Sequence, residues 1–248
     1  MKKKGISIIA GFLLLFAVYH LPEFFSLFWL MAVCKIGFLI LAFFIAVRQG
    51  WKGLGGFGLG LHQGWWKKWV AGIIAGFVFY GLSLWATVAL GFERLESVRS
   101  FSSILQKAPL IILMTVFPSI DEDILTRGYL FGHFGKRLKP YLWVIVSAAV
   151  FLLNHIWRLG DHPSVLLYLF LLGLVLAIAV IQTGSLWLAF GIHWGANLAF
   201  ESSQAFVQTQ SVEKGYLGTW FLAGAWLMLM IILLIRGNYL SGSKKSET

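Results

Sequence analysis

Long apolar runs separated by short polar breaks dominate the chain. A membrane-crossing helix needs about 20 apolar residues. On that measure the runs predict spans near 5–22, 24–47, 69–91, 109–134, 141–158, 164–182, 185–203 and 217–236. The breaks differ in kind. Residues 50–68 are rich in glycine, tryptophan and lysine, which suits a loop at the membrane–water boundary with an aromatic belt. No strand precedes those glycines and no GK[ST] follows them, so they do not form a phosphate loop. Residues 92–107 mix charged and apolar groups (Glu93, Arg94, Glu96, Arg99) and predict an amphipathic segment on the membrane surface. Residues 241–248 read as a polar tail, and no internal repeat is visible. The pattern predicts an all-α polytopic transmembrane helix bundle of about eight spans, with residues 1–248 forming one integral membrane domain.

Composition agrees. The chain is 59% hydrophobic and 12% charged, whereas soluble domains carry about a quarter charged residues. A net charge of +10 raises the question of nucleic acid, but the basic residues sit in short clusters between apolar runs. That is a topology signal, so the expected partner is the lipid bilayer and not nucleic acid. With the N-terminus inside, the inner set is Lys2, Lys3, Lys4, Arg48, Lys52, Lys67, Lys68, Lys136, Arg137, Lys139, Arg236, Lys244 and Lys245. The outer set is Arg94, Arg99, Lys107, Arg158 and Lys214, and Lys35 and Arg127 fall inside spans. Thirteen against five predicts that both termini are cytoplasmic. Chain size and the basic N-terminus fit a bacterial inner membrane. Residues 1–4 ahead of an apolar run resemble the start of a signal peptide. No small-x-small cleavage site follows, so the run is expected to remain as the first span. The single cysteine, Cys34, permits no internal disulfide and lies in an apolar run, where a thiol is inert.

The polar groups inside the runs carry the chemistry. Residues 119–128 bring Asp121, Glu122, Asp123 and Arg127 into an otherwise apolar segment. Ionisable groups at membrane depth are costly and mark function by default. Pro118 lacks an N–H and predicts a break or restart of the helix. Asp123 and Arg127, four apart with the acid first, share a face and can pair, so that both charges survive a low dielectric. Glu122 points about 100° away and has no local partner. A carboxyl in poorly solvated surroundings suits proton transfer; the alternative is a capping box, Ser119-x-x-Glu122. His155 follows Asn154 in the fifth run; a lone histidine there is more often a satisfied core residue, and Asn154 has no evident role. His193 and Asn197, also four apart, face the same way. Two donors on one face can hold an oxyanion, or can simply join helices by a hydrogen bond. Gly191 and Gly195 allow close helix approach in either case. A glutamate, two histidines and an asparagine on three separate spans are expected to converge in one wet cavity.

Glu122-Asp123-x-x-x-Arg127, Phe151-x-x-x-His155 and His193-x-x-x-Asn197, with Thr183-Gly184-Ser185-Leu186-Trp187 ahead of the last, resemble the three motifs of the CAAX-protease and bacteriocin-processing (CPBP, or Abi) family of glutamic intramembrane proteases. The resemblance covers roughly residues 109–200, the expected catalytic core. It departs from the family at Asp123, where a second glutamate is usual; the shorter acid keeps its charge for Arg127. The resemblance implies that Glu122 acts as general base on a water and that His155 orients or shares the proton. His193 and Asn197 would hold the oxyanion, with Asp123 and Arg127 in support. No cofactor and no metal are expected.

The function that follows is an intramembrane endopeptidase acting on a membrane-associated or exported protein or peptide. A zinc metalloprotease with Glu122, His155 and His193 as ligands is an alternative, weakened by the absence of an HExxH helix. A proton-coupled transporter is another, without the inverted repeat expected of one. A non-catalytic immunity or scaffold protein is a third. In the expected topology His155 lies about one turn from the outer boundary and Asn197 in the outer half, so the site is expected to open outward.

Overall fold

The computed structural model describes residues 2–25, 27–135, 137–212 and 215–243. Lys136, Lys214 and residues 244–248, which entered the charge count and the polar tail, lie outside the described residues. Eight helices follow the eight apolar runs among the described residues: α1 (Lys2–His20), α2 (Phe28–Arg48), α3 (Trp65–Ala89), α4 (Phe101–Phe134), α5 (Pro140–Asn154), α6 (Pro163–Thr183), α7 (Trp187–Phe206) and α8 (Leu217–Ser243). Pro140 and Pro163 start α5 and α6, where a missing N–H leaves no helical bond unmade. Gly184 ends α6 in the left-handed conformation that a side chain disfavours. Stretches in six of the eight are long and apolar enough to cross a membrane. The other two are α5, apolar but 15 residues long, and α7, which carries much of the polar chemistry. The chain is a polytopic helical membrane protein.

Helix α6 is the most enclosed, with Val175, Leu176, Ala177, Ala179 and Val180 fully buried. It packs against α5, α7 and α8. The closest helix pair is α3 with α7, and small residues cause it. Gly72 and Gly76 on α3 face Gly191 and Gly195 on α7, and a Cβ at any of the four would run into backbone of the opposite helix. Small residues four apart let backbones touch in this way inside membranes, where lipid supplies no hydrophobic drive between helices. Large apolar side chains such as Ile40, Phe44, Trp85 and Leu113 point outward, toward what would be lipid.

Three expectations are corrected. Residues 92–107 are not one amphipathic surface segment. Glu93–Val98 is a strand, β1, paired antiparallel with β2 (Val207–Ser211), and α4 already begins at Phe101. The strand forms because β2, which leaves the end of α7, satisfies its backbone; Arg99 N–H also reaches the Phe206 carbonyl at 2.9 Å. Nor does Pro118 break its helix: α4 runs through both Pro109 and Pro118. Hydroxyls bind backbone carbonyls around it, Thr115 to Ile111 at 2.8 Å and Ser119 to Thr115 at 2.7 Å, which is how membrane helices tolerate proline. The irregularity falls later, in a π turn at Ile124–Gly128. Finally, residues 50–68 are more than a surface loop. Phe57 is fully buried, and the Gly58 carbonyl accepts from Leu186 N–H at 2.9 Å, so the segment closes one end of the bundle.

Candidate active site

Helix α4 supplies the acids, and the π turn follows directly. The wider turn is anchored by the Thr126 hydroxyl, which donates to the Glu122 carbonyl at 2.7 Å. Such single wide turns occur often at functional sites. Asp121, Glu122, Asp123 and Arg127 are all buried. Arg127 Nη1 donates to Asp123 Oδ1, as the spacing predicts, and both side chains are fully enclosed. The guanidinium also lies 4.7 Å from the Phe151 ring centroid.

Glu122 points the other way, between α5 and α7. Asn154 Nδ2 donates to its Oε1 at 3.1 Å. His155 Nδ1 lies 3.5 Å from the same oxygen, and His193 Nε2 lies 3.7 Å from Oε2. Neither imidazole distance is a well-formed direct hydrogen bond; both lie within ion-pair range of the carboxylate. Ser119 does not cap Glu122, because its hydroxyl donates to Thr115 and accepts from Asn197 Nδ2 at 2.9 Å. Among the described residues no group of three or more His, Cys, Asp or Glu side chains is arranged to hold a metal ion.

His155 caps the end of α5 instead of lying within it; its Nδ1 lies 2.9 Å from the Phe151 carbonyl. His193 Nδ1 meets Asp123 Oδ1 at 2.9 Å. One carboxylate oxygen therefore serves both Arg127 and His193. Asn197 sits one turn beyond His193, where its Nδ2 donates to the Ser119 hydroxyl. Thus Glu122, His155 and His193 come together, Asn197 stands beside them, and Asp123 and Arg127 form a support behind.

A cavity of about 920 Å³ reaches this cluster, walled by His155, His193 and Asn197 and, toward its mouth, by Glu93, Glu96 and Thr209 of the strand pair. The register shift between Leu95 and Ser97 leaves Glu96 as an extra residue. A bulge of this kind re-aims a side chain, and here Glu93 and Glu96 both line the cavity. The mouth lies where α3 and α7 end and α4, α6 and α8 begin. Arg48, Lys67 and Lys68 are at the opposite end, where Lys68 Nζ reaches the Thr183 carbonyl at 3.4 Å.

Several residues at the cluster had no role in the sequence reading. Asn154 was visible as a polar residue in an apolar run, but nothing local pointed to Glu122. His20, at the end of α1, carried no motif signal; its Nε2 is 3.1 Å from Asn154 Oδ1. Tyr19 faces Glu122 as well. Lys35 of α2 donates to the Tyr19 carbonyl at 3.3 Å and is the cation whose field reaches Asp121.

Residues 104–199 match the family model described as type II CAAX prenyl endopeptidase Rce1-like. The match spans α4 through most of α7, so it contains Glu122, Arg127, His155, His193 and Asn197. No curated protein matches the chain.

Proposed function

We propose that this chain, whose residues 104–199 match the CAAX-protease-like family model, is an intramembrane endopeptidase that uses a glutamate-activated water. The observation that carries this is the meeting of Glu122 with His155 and His193, from three helices, where the two histidines line a cavity within the bundle. Water held against Glu122 gives it a proton as its oxygen bonds to the peptide carbonyl carbon. The resulting oxyanion is held by His193 Nε2–H and by the Asn197 N–H that Ser119 does not use. His193 already gives its Nδ1–H to Asp123, so donation from Nε2 requires the doubly protonated ring. A carboxylate lies near each ring nitrogen, Asp123 at Nδ1 and Glu122 at Nε2. As the C–N bond breaks, the proton on Glu122 passes to the leaving amine, with His155 placed to share it. Arg127 keeps Asp123 ionised, and no acyl-enzyme forms.

The substrate is a membrane-associated or exported peptide. With the termini cytoplasmic, the cavity mouth faces outward; a prenylated cytosolic substrate would need the opposite opening. A cysteine at position 201, an exposed site near the end of α7, should react with an impermeant maleimide added outside intact cells. Labelling only from the cytoplasmic side overturns this orientation.

The direct test compares peptides and membrane proteins from cells carrying the wild type or Glu122→Ala at equal abundance. At least one peptide should remain uncut in the variant. Identical profiles would end the proteolytic reading. Cleavage that survives chelation separates it from a zinc enzyme.

A further inference from the structure

A line of hydrogen bonds leads from the rim of the bundle to Glu122 through Glu23 and His20, which lie outside the family-matched segment. Trp157 Nε1 donates to Glu23 Oε2 at 2.9 Å. His20 Nδ1 meets the same oxygen at 2.6 Å. His20 Nε2 meets Asn154 Oδ1 at 3.1 Å, and Asn154 Nδ2 meets Glu122 Oε1 at 3.1 Å. His20 and Asn154 are buried, and Glu23 is partly exposed.

The donor directions follow from chemistry. An ionised Glu122 only accepts, so the Asn154 amide must turn its NH2 toward it. The Asn154 carbonyl then faces His20, whose Nε2 must carry a proton. At the other ring nitrogen, Glu23 Oε2 receives the Trp157 indole, which only donates. Glu23 Oε2 thus holds both the Trp157 indole and the far side of the His20 ring. From His20 onward each donor points along the line toward Glu122.

We propose that His20, held by Glu23, is a positioning residue for Glu122 that acts through Asn154. By fixing the amide orientation it keeps one Glu122 oxygen occupied. The other is left to face His193 and the attacking water. Without it the Asn154 carbonyl has no donor and the amide can turn over, setting oxygen against oxygen. This rests on Glu122 as the general base, but its geometry can be read without catalysis.

The test uses full-length protein in detergent with His20→Gln, His20→Asn and His20→Leu. Glutamine carries its amide nitrogen at the position of Nε2 and can still donate to Asn154; asparagine and leucine cannot reach. The Glu122 carboxylate band is isolated by infrared difference against Glu122→Gln in each background. It should be displaced in His20→Asn and His20→Leu and keep its position in His20→Gln. On a peptide that wild type cuts, kcat should fall about tenfold in the first two with KM unchanged, and His20→Gln should recover most of the loss. A band that stays put in all three variants, or moves alike in all three as lost packing against Phe16 and Tyr19 would cause, overturns the proposal. Cleavage surviving in Glu122→Ala would instead overturn the proteolytic reading, and the infrared comparison still decides the relay.

Discussion

Glu122→Gln is expected to reduce cleavage by about 10³-fold or more while the protein still assembles. A positioned general base contributes about 10²–10⁴-fold, and here the same group must also return the proton to the leaving amine. Glutamine keeps the volume and one acceptor. Its carbonyl can still receive Asn154 Nδ2–H, so the hydrogen bond at 3.1 Å survives. What is lost is the capacity to take a proton from water, and the negative charge near the two imidazoles. Glu122→Asp retains the charge but withdraws it by one methylene from His155 and His193, already at 3.5 and 3.7 Å. It should therefore fall between wild type and glutamine. Initial rates on one identified peptide, with unfolding midpoints for each variant, measure this. Near-wild-type cleavage by Glu122→Gln would remove the glutamate from the chemistry.

Much of the architecture was legible because lipid imposes a simple rule on sequence. A run must be apolar on all sides to cross, so the runs announce α1 to α8, and a polar residue within one stands out. Glu122, His155, His193 and Asn197 were visible for that reason, and Asp123 with Arg127 because four residues is a helix repeat. What was hidden depends on partners far apart in the chain. The strand at Glu93–Val98 needs Val207–Ser211, which no local pattern supplies. His20 finds Asn154 across 134 positions. The π turn after Asp123 was hidden for another reason. Proline is the loudest helix-breaking signal, so the sequence points to a break at Pro118, whereas hydroxyls on Thr115 and Ser119 bond carbonyls across that turn. The second role of Asp123, as acceptor for His193, follows only from the way α7 crosses α4.

That second role separates stability from activity in a way mutation can expose. Arg127→Leu is expected to destabilise the protein by about 3–5 kcal/mol, the usual cost of stripping a buried charge of its partner. Both side chains are fully enclosed, so water cannot substitute for the lost guanidinium. Replacing both members, Asp123→Leu with Arg127→Leu, should restore most of that stability, since buried ion pairs gain little over packed apolar residues. Arg127 even carries two nitrogens, Nε and Nη2, with no hydrogen-bond partner among the described residues, so the native pair is far from ideal. Cleavage should follow the other course. The double variant removes the carboxylate that holds His193 Nδ1–H at 2.9 Å, and the ring loses the group that fixes its orientation. Its rate should stay down by about 10–100-fold, the range for losing a group that orients a functional histidine. Thermal unfolding in micelles and cleavage of the same peptide read the two effects separately. A double variant that regained full cleavage would show that Asp123 serves only Arg127. An Arg127→Leu protein as stable as wild type would show that the pair does not hold α4 in its fold.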